Sequence, residues 1–417
     1  MSQSRYDAYK DSGVAWLGQV PAHWEVVALK RTLDIQNGHD YKHIESENGY
    51  PVIGSGGIFA FASDYLFDGE SILLGRKGTI DKPLHFRGKF WTVDTMFWSK
   101  IATGVYGRFI YYVATEIPFA MYSTNTALPS MAKSVLEQHL IPLPPLAEQQ
   151  ALAAFLDREC ARIDALVAAQ QRMIALSKEK RQALISQAVT RGLDPATPYK
   201  DSGVAWLGRV PAHWEVRKIK DVVSQPITDG PHETPEFQDD GVVFISAEAV
   251  SSGKIDFGKK RGFISHSVNE IYLLKYKPQL LDIYMIKSGA TTGVTAICED
   301  RVDFNIWSPL AAIRCNNLMN PYYLLNFMRS INFQDSIKLF WTFGTQQNIG
   351  MGTLSALHVL VPPLAEQQAI AAFLDRECAR IDTLIERAEQ AIVLLRERRS
   401  ALIAAAVTGQ IRVDGAE

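Results

Sequence analysis

Two stretches of this chain carry helical patterning far longer than an ordinary globular helix needs. From Leu146 to about Val189 there is no glycine or proline, and Ala, Leu, Glu, Gln, Arg and Lys, all good helix formers, dominate. Apolar residues stand at Leu152, Leu156, Ile163, Leu166, Met173 and Leu184, in steps built from threes and fours. That spacing predicts an amphipathic helix. Arg191-Gly192 predicts its end, with Pro195 and Pro198 just beyond. A second stripe follows at Ile370, Leu374, Ile381, Leu384, Ile392, Leu395 and Leu402, ended by Thr408-Gly409. Each helix has about 40 residues, hence on the order of 60 Å at 1.5 Å per residue. Helices this long need a partner along their length, and each is the economical partner of the other. Gln170, Ser177 and Lys180 interrupt the first stripe, so a straight or weakly supercoiled antiparallel pair is expected rather than a regular zipper.

The remaining sequence has a shorter period. Runs such as Ser71-Ile-Leu-Leu, Phe90-Trp-Thr-Val and Gly241-Val-Val-Phe-Ile-Ser are rich in β-branched and aromatic residues and are punctuated by Gly, Asp, Asn and Pro. They predict short strands. Helices are predicted at 107–115 and 321–330, where Pro321 suits a first helical turn.

These elements sit in a duplicated frame. Residues 9–26 read YKDSGVAWLGQVPAHWEV and recur at 199–216, with only Gln19 replaced by Arg209. Residues 144–166 recur at 362–384 as PPLAEQQ followed by the start of each long helix. The inserts, roughly 30–140 and 220–360, barely resemble each other. The layout read from this is 1–145 (repeat block and first insert), 146–190 (first long helix), 191–361 (repeat block and second insert) and 362–417 (second long helix and tail). The expected fold class is α+β: two mixed, mostly β domains separated by two long antiparallel helices, with an internal pseudo-two-fold duplication. One insert would lie at each end of the helix pair.

Composition narrows the function. A chain of 417 residues can hold two or three domains. No apolar run reaches membrane-spanning length and the first residues have no apolar core of a signal peptide, so a soluble, cytoplasmic protein is expected. A net charge of −2 argues against non-specific coating of nucleic acid but leaves room for basic residues gathered in one groove. Cys160 and Cys378 occupy the same Glu-Cys-Ala-Arg in the two copies, while Cys298 and Cys315 stand alone. Without a C-x-x-C pair, buried thiols are expected rather than zinc or a disulfide framework.

The order of motifs, YKDSGVAWLGxVPAHWEV, a variable region, PLPPLAEQQ and a long helix, all twice, resembles the specificity (S) subunits of Type I restriction–modification systems. The resemblance covers nearly the whole chain. It implies that the inserts are target-recognition domains, each reading one half of a split double-stranded DNA target with an unspecified gap between. It implies that the repeated helices dock two copies of the modification subunit, an adenine methyltransferase, with restriction subunits joining the full complex. No cofactor is then expected on this chain, and S-adenosylmethionine, ATP and Mg belong to the partner subunits.

Against that background the inserts share short phrases. Leu73-Leu-Gly-Arg-Lys-Gly-Thr79 and Tyr284-Met-Ile-Lys-Ser-Gly-Ala290, with Thr291-Thr292 following, each read as strand, basic residue and glycine turn. This would lift Arg76, Lys77 and Thr79, or Lys287, Thr291 and Thr292, onto a tight loop. Arg and Lys reach guanine O6 and N7, and turn amides suit phosphate. The plain alternative is a hairpin with solvated charges. Asn125 and Thr126 in Ser123-Thr-Asn-Thr126, and Gln346 and Gln347 in Thr345-Gln-Gln-Asn348, could bond adenine or phosphate, or could simply form polar turns. His232 and Thr234, in Thr228-Asp-Gly-Pro-His-Glu-Thr234, lie on a loop that could face DNA or merely connect strands.

In the frame, Trp16, Trp24, Trp206 and Trp214 serve both copies and so are read as packing against the helices. His23 and His213 are read as structural. Arg158, Arg162, Arg376 and Arg380, in the two Asp-Arg-Glu-Cys-Ala-Arg motifs, are candidate docking contacts for a partner that binds twice, or solvated i,i+4 charges. The sequence has no G-x-x-x-x-G-K-[ST] loop, and its nearest approach to the Asn/Asp-Pro-Pro-aromatic run of amino-methyltransferases is Asn320-Pro-Tyr-Tyr. The reading is therefore a non-catalytic DNA reader. A two-headed protein-binding scaffold with a helical spacer is the alternative, and a self-sufficient methyltransferase is disfavoured by the missing motifs.

Overall fold

A computed structural model of the chain describes residues 5–122, 129–340, 342–343 and 347–413. It divides into two compact units, one formed by residues 1–171 and 389–417, the other by 172–388. Each unit contains one insert, one copy of the frame, and part of each long helix.

The long helices run Leu146–Arg191 and Leu364–Val407, 46 and 44 residues, somewhat longer than their apolar stripes required. Each begins directly after its Pro-Pro and ends before a left-handed glycine, Gly192 or Gly409. In the first unit the start of one helix lies against the end of the other, joined by Arg399 to Asp164 at 3.1 Å. In the second unit the partners are Arg181 and Asp382 at 3.2 Å. Low numbers on one helix meet high numbers on the other in both units, so the pairing is antiparallel. Leu152, Leu156, Ile163, Ile370, Leu374 and Ile381 are buried as the stripes predict. Leu166, Met173 and Leu384 are not: they stay exposed, because a single neighbouring helix covers only part of an apolar face.

In the first unit the insert is a seven-stranded sheet, in the order Leu33–Asn37, Met96–Ile101, Phe67–Gly75, Leu84–Thr92, Tyr50–Gly54, Gly57–Ala62 and Glu45–Ser46. All neighbours are antiparallel except Tyr50–Gly54 and Leu84–Thr92, which run parallel. The second insert splits the same plan into two sheets. One orders Thr228–Asp229, Leu310–Ile313, Ile283–Ile286 and Thr295–Ile297; the other places Val242–Ile245 between Gly262–Ile264 and a parallel Phe304–Ile306. The strands expected around Ser71, Phe90 and Val242 are present, as are helices Gly107–Thr115 and Pro321–Arg329.

Each frame copy seats on a helix end. Trp24 and Trp214 are fully buried, in clusters with Leu152 and Val407 in the first unit and with Val189 and Ile370 in the second. Tyr9 Oη donates to the Gly409 carbonyl at 2.9 Å, and its repeat mate Tyr199 donates to that of Arg191 at 3.2 Å. The first frame copy thus closes on the end of the second helix, about 400 residues away in sequence. The second closes on the helix immediately before it. Cys160, Cys298 and Cys378 are free buried thiols, and Cys315 is free and half-buried. Among the described residues no helix is long and apolar enough to cross a membrane.

Candidate nucleic-acid interface

The PPLAEQ phrase ties frame to insert. Glu148 accepts from Trp24 Nε1 at 3.0 Å, lies 2.9 Å from His23 Nε2, and takes a further hydrogen bond from Tyr6. Glu366 holds His213 at 2.8 Å in the second copy. The adjacent Gln149 is buried; its side-chain oxygen accepts from Tyr106 N at 2.8 Å, where helix Gly107–Thr115 begins, while its amide donates to Pro144 O. Gln367 repeats this with Asn320 N at 2.7 Å and Pro362 O. These four residues were missed as a functional group by sequence. Their sign was polar identity kept twice at the first turn of an otherwise apolar helix face.

In each insert the strand ends then converge. In the first, Arg76 follows strand Phe67–Gly75, and its N–H donates to Thr95 O at 2.8 Å. Lys77 bridges to Ser130, and Met131 N donates to Arg76 O at 2.9 Å. Gly38 closes the same sheet edge: a Cβ there would fall 2.1 Å from Val93 O, so only glycine lets loop and turn touch. The indole of Trp91 pins this loop by donating to His39 O at 2.8 Å.

The second insert repeats the loop-to-strand contacts of this edge with other residues, while its tryptophan comes from a different position. Lys287 N donates to Pro309 O at 2.8 Å, Ser288 bridges to Asn348, and Ile349 N donates to Lys287 O at 2.8 Å. Gly230 stands where Gly38 does, with a Cβ 1.9 Å from Ile306 O, and Trp307 Nε1 donates to Glu233 O at 3.1 Å. Asn37-Gly38 and Asp229-Gly230 are therefore structural equivalents, a match the sequence did not reveal. In the second unit the glycine loop meets Asn348, the last residue of the polar segment read separately from sequence; in the first it meets Ser130 and Met131.

Charge is handled differently in the two edges. Lys77 Nζ lies 3.3 Å from Asp94, and Arg76 donates to the Asp94 carbonyl at 3.4 Å, with both side chains half-exposed. Lys287 is not lifted out on its loop as expected. Its side chain is 13 % exposed and its ammonium lies 3.1 Å from the buried carboxylate of Asp229. Lys275 reaches the same carboxylate at 2.6 Å and His232 at 3.0 Å. Burial by itself would raise the Asp229 pKa; Lys275 and Lys287 outweigh it and hold the carboxyl below its ordinary value. A cavity of about 400 Å³ opens beside this cluster, lined by His232, Glu233, Tyr272 and Asn305 among others.

The other expected site residues fall as follows. Thr79 is half-exposed, Thr291, His232 and Thr234 are exposed, and Thr292 is buried, its hydroxyl donating to Gly289 O at 2.7 Å. Asn125, Thr126 and Gln346 lie outside the described residues, and of Gln347 only the backbone is described, paired with Phe343. Arg158, Arg162, Arg376 and Arg380 are exposed on the long helices. Arg158 and Arg376 sit over Phe155 and Phe373 in matching geometry. Asp157 of the same motif is not a solvated charge: Arg108 and Tyr112 of the first insert bind it at 2.7 and 2.6 Å.

The sequence profile of the Type I restriction modification DNA specificity domain matches residues 21–172 and 211–392. The chain is 27% identical, over 84% of its length and 78% of the relative's, to the Type I restriction enzyme MjaVIII specificity subunit of Methanocaldococcus jannaschii. It is 21% identical to the EcoBI specificity subunit of Escherichia coli, covering 93% of this chain and 86% of that one. Its fold matches a chain in the structure described as "Structural basis underlying complex assembly and conformational transition of the type I R-M system", with TM-score 0.72 and 16% identity over 93% of this chain and 98% of that one. It also matches the HsdS subunit of Thermoanaerobacter tengcongensis, with TM-score 0.53 and 15% identity over 94% and 98%. With the profile matched twice across most of its length, the chain belongs to the Type I restriction–modification DNA specificity family, whose part in such systems is recognition and not catalysis.

Proposed function

We propose that the chain reads a bipartite duplex, one half-site per insert, and directs adenine methylation and restriction carried out by partner subunits. One observation carries this reading: the same loops meet at the same sheet edge in both units, with different side chains in matched places. Arg76 is replaced by Lys287, Lys77 by Ser288, Ser130 by Asn348 and Asn37 by Asp229. A constant scaffold with variable edge groups is what reading two unlike sequences requires, since phosphate contacts position and base contacts specify. Base or phosphate contacts are assigned to Arg76, Lys77, Thr79, Thr291 and the pre-helix polar segments. Lys287 serves in this reading through its pairing with Asp229.

Two copies of the modification subunit dock on the exposed Arg158, Arg162, Arg376 and Arg380 in this proposal. The matched placement of these arginines on the two helices supports a partner that binds twice. S-adenosylmethionine, ATP and Mg would be held by the partners. The test is an exchange of residues 30–140 for the first insert of another family member, expressed with the cognate modification subunit. Methylation mapping should show one half of the target changed and the other intact; a change in both halves defeats the reading.

A further inference from the structure

The pair of strands Tyr50–Gly54 and Gly57–Ala62 ends in an apolar tip that the reading above does not use. Ile58 and Phe59 are each 56 % exposed there, and Phe61 and Tyr65 are exposed as well. An uncovered apolar patch near a sheet edge is an association hazard unless something occupies it. The surroundings say what does. Phe59 lies against Gly54, where an added Cβ would meet its ring at 3.2 Å and the Val93 side chain at 3.5 Å. Val93 opens the turn whose next two residues, Asp94 and Thr95, hold Lys77 and Arg76. Phe59 and the two cations therefore flank one turn of one sheet edge. The ring is also held in place: it meets the buried Tyr41 edge-on, centroids 5.5 Å apart and planes at 87°. Its neighbours at the tip, Gly56 and Gly57, have open space around them, so the tip is slender enough to enter a groove.

We infer that Phe59 makes an apolar base contact in the first half-site, and that its DNA partner is a thymine C5-methyl group. This rests on the function proposed above. The cations beside the ring suit a polyanion, and the thymine methyl is the apolar group that the major groove offers. In the second insert the strand that matches Tyr50–Gly54 does not turn directly into a hairpin. There Ile245 leads into the short helix Ala247–Val250, and among the described residues no large apolar side chain from 242 to 250 is exposed.

The experiment uses the full chain in complex with its modification subunit, and duplexes carrying the target found by methylation mapping. Each thymine of the first half-site is replaced in turn by deoxyuridine, which lacks the methyl. For the wild type, one replacement should weaken binding about fourfold, the worth of one buried methyl group. Phe59→Ala should bind the unmodified target more weakly and be indifferent to that replacement. Ile58→Ala removes an exposed apolar side chain on the opposite face of the strand and should keep the wild-type response. The contact is overturned if no deoxyuridine position matters to the wild type, or if Phe59→Ala keeps the sensitivity. It is also overturned if the first half-site holds no A·T pair, or if Phe59→Ala folds but no longer joins the modification subunit, which would make the patch a protein interface. Absence of any bipartite target would defeat the proposed function and this contact together; failure of the deoxyuridine arm defeats the contact alone.

Discussion

Replacing Asp229 with asparagine keeps its shape and removes its charge. In the folded chain that carboxylate is 1 % exposed and faces Lys287 at 3.1 Å and Lys275 at 2.6 Å. The Lys275 side chain is 48 % exposed and can turn to water, so its pairing counts for little. The Lys287 side chain, 13 % exposed, cannot do so without breaking its loop. Breaking a buried pair by removing one partner costs about 3–5 kcal/mol, and with Lys275 discounted the expected loss is ~3 kcal/mol. With a urea slope of roughly 2–3 kcal/mol/M, the unfolding midpoint of the unit holding the second insert should fall by about 1 M. Lys287→Met in the same chain should recover most of that loss, because no buried charge is then left alone. The pH dependence has a definite sign. The folded pKa of Asp229 lies below the ordinary 3.8, so its contribution is complete well above that value and is lost as pH falls through the folded pKa. The difference between wild type and Asp229→Asn should be constant from about pH 5 upward and close below about pH 4. With the modification subunit present, methylation mapping should show the second half-site disturbed and the first intact. A midpoint shift under ~0.3 M, or one that Lys287→Met leaves unchanged, would mean that the pair is not part of the folded scaffold.

Two further outcomes are expected. Burial lowers the pKa of His139 to about 4, so the folded chain prefers the neutral ring and the first unit should lose stability as pH falls from about 6.5 towards 4, by roughly 2–3 kcal/mol in all. The second frame copy carries Leu357 at that position, its carbonyl accepting from Ile219 N as that of His139 accepts from Leu29 N, so His139→Leu should fit and flatten the acid limb of a thermal-melt pH series; an unchanged limb would place the sensitivity elsewhere. Arg76→Ala should weaken recognition of the first half-site by about 1–3 kcal/mol if the guanidinium meets a base edge, whereas a phosphate contact would lower binding to all sequences alike and make the salt slope shallower. Binding assays across salt concentrations decide, and wild-type affinity and specificity would mean the side chain faces solvent.

The long helices were legible from residues alone because their causes are local. Favourable propensity, absence of Gly and Pro, and recurring threes and fours act within a few residues of each position, and Gly192 and Gly409 end what they begin. The duplication was legible for the same reason, since it is written as repeated letters, and with it came the recognition reading. The edge that carries function was not. Gly38, Arg76, Thr95 and Ser130 are distant in sequence and meet only because sheet pairing brings their strand ends together. Lys287 looked like an outward cation because nothing near it in sequence holds it; Asp229, 58 residues earlier, turns it inward. Likewise the exposure of Leu166 and Leu384 depended on how much of a stripe one neighbouring helix can cover. Periodicity states which face of an element is apolar. Only the tertiary structure decides which distant groups that face, or the loop beside it, will meet, because those contacts are set by strand order and register rather than by the neighbours along the chain.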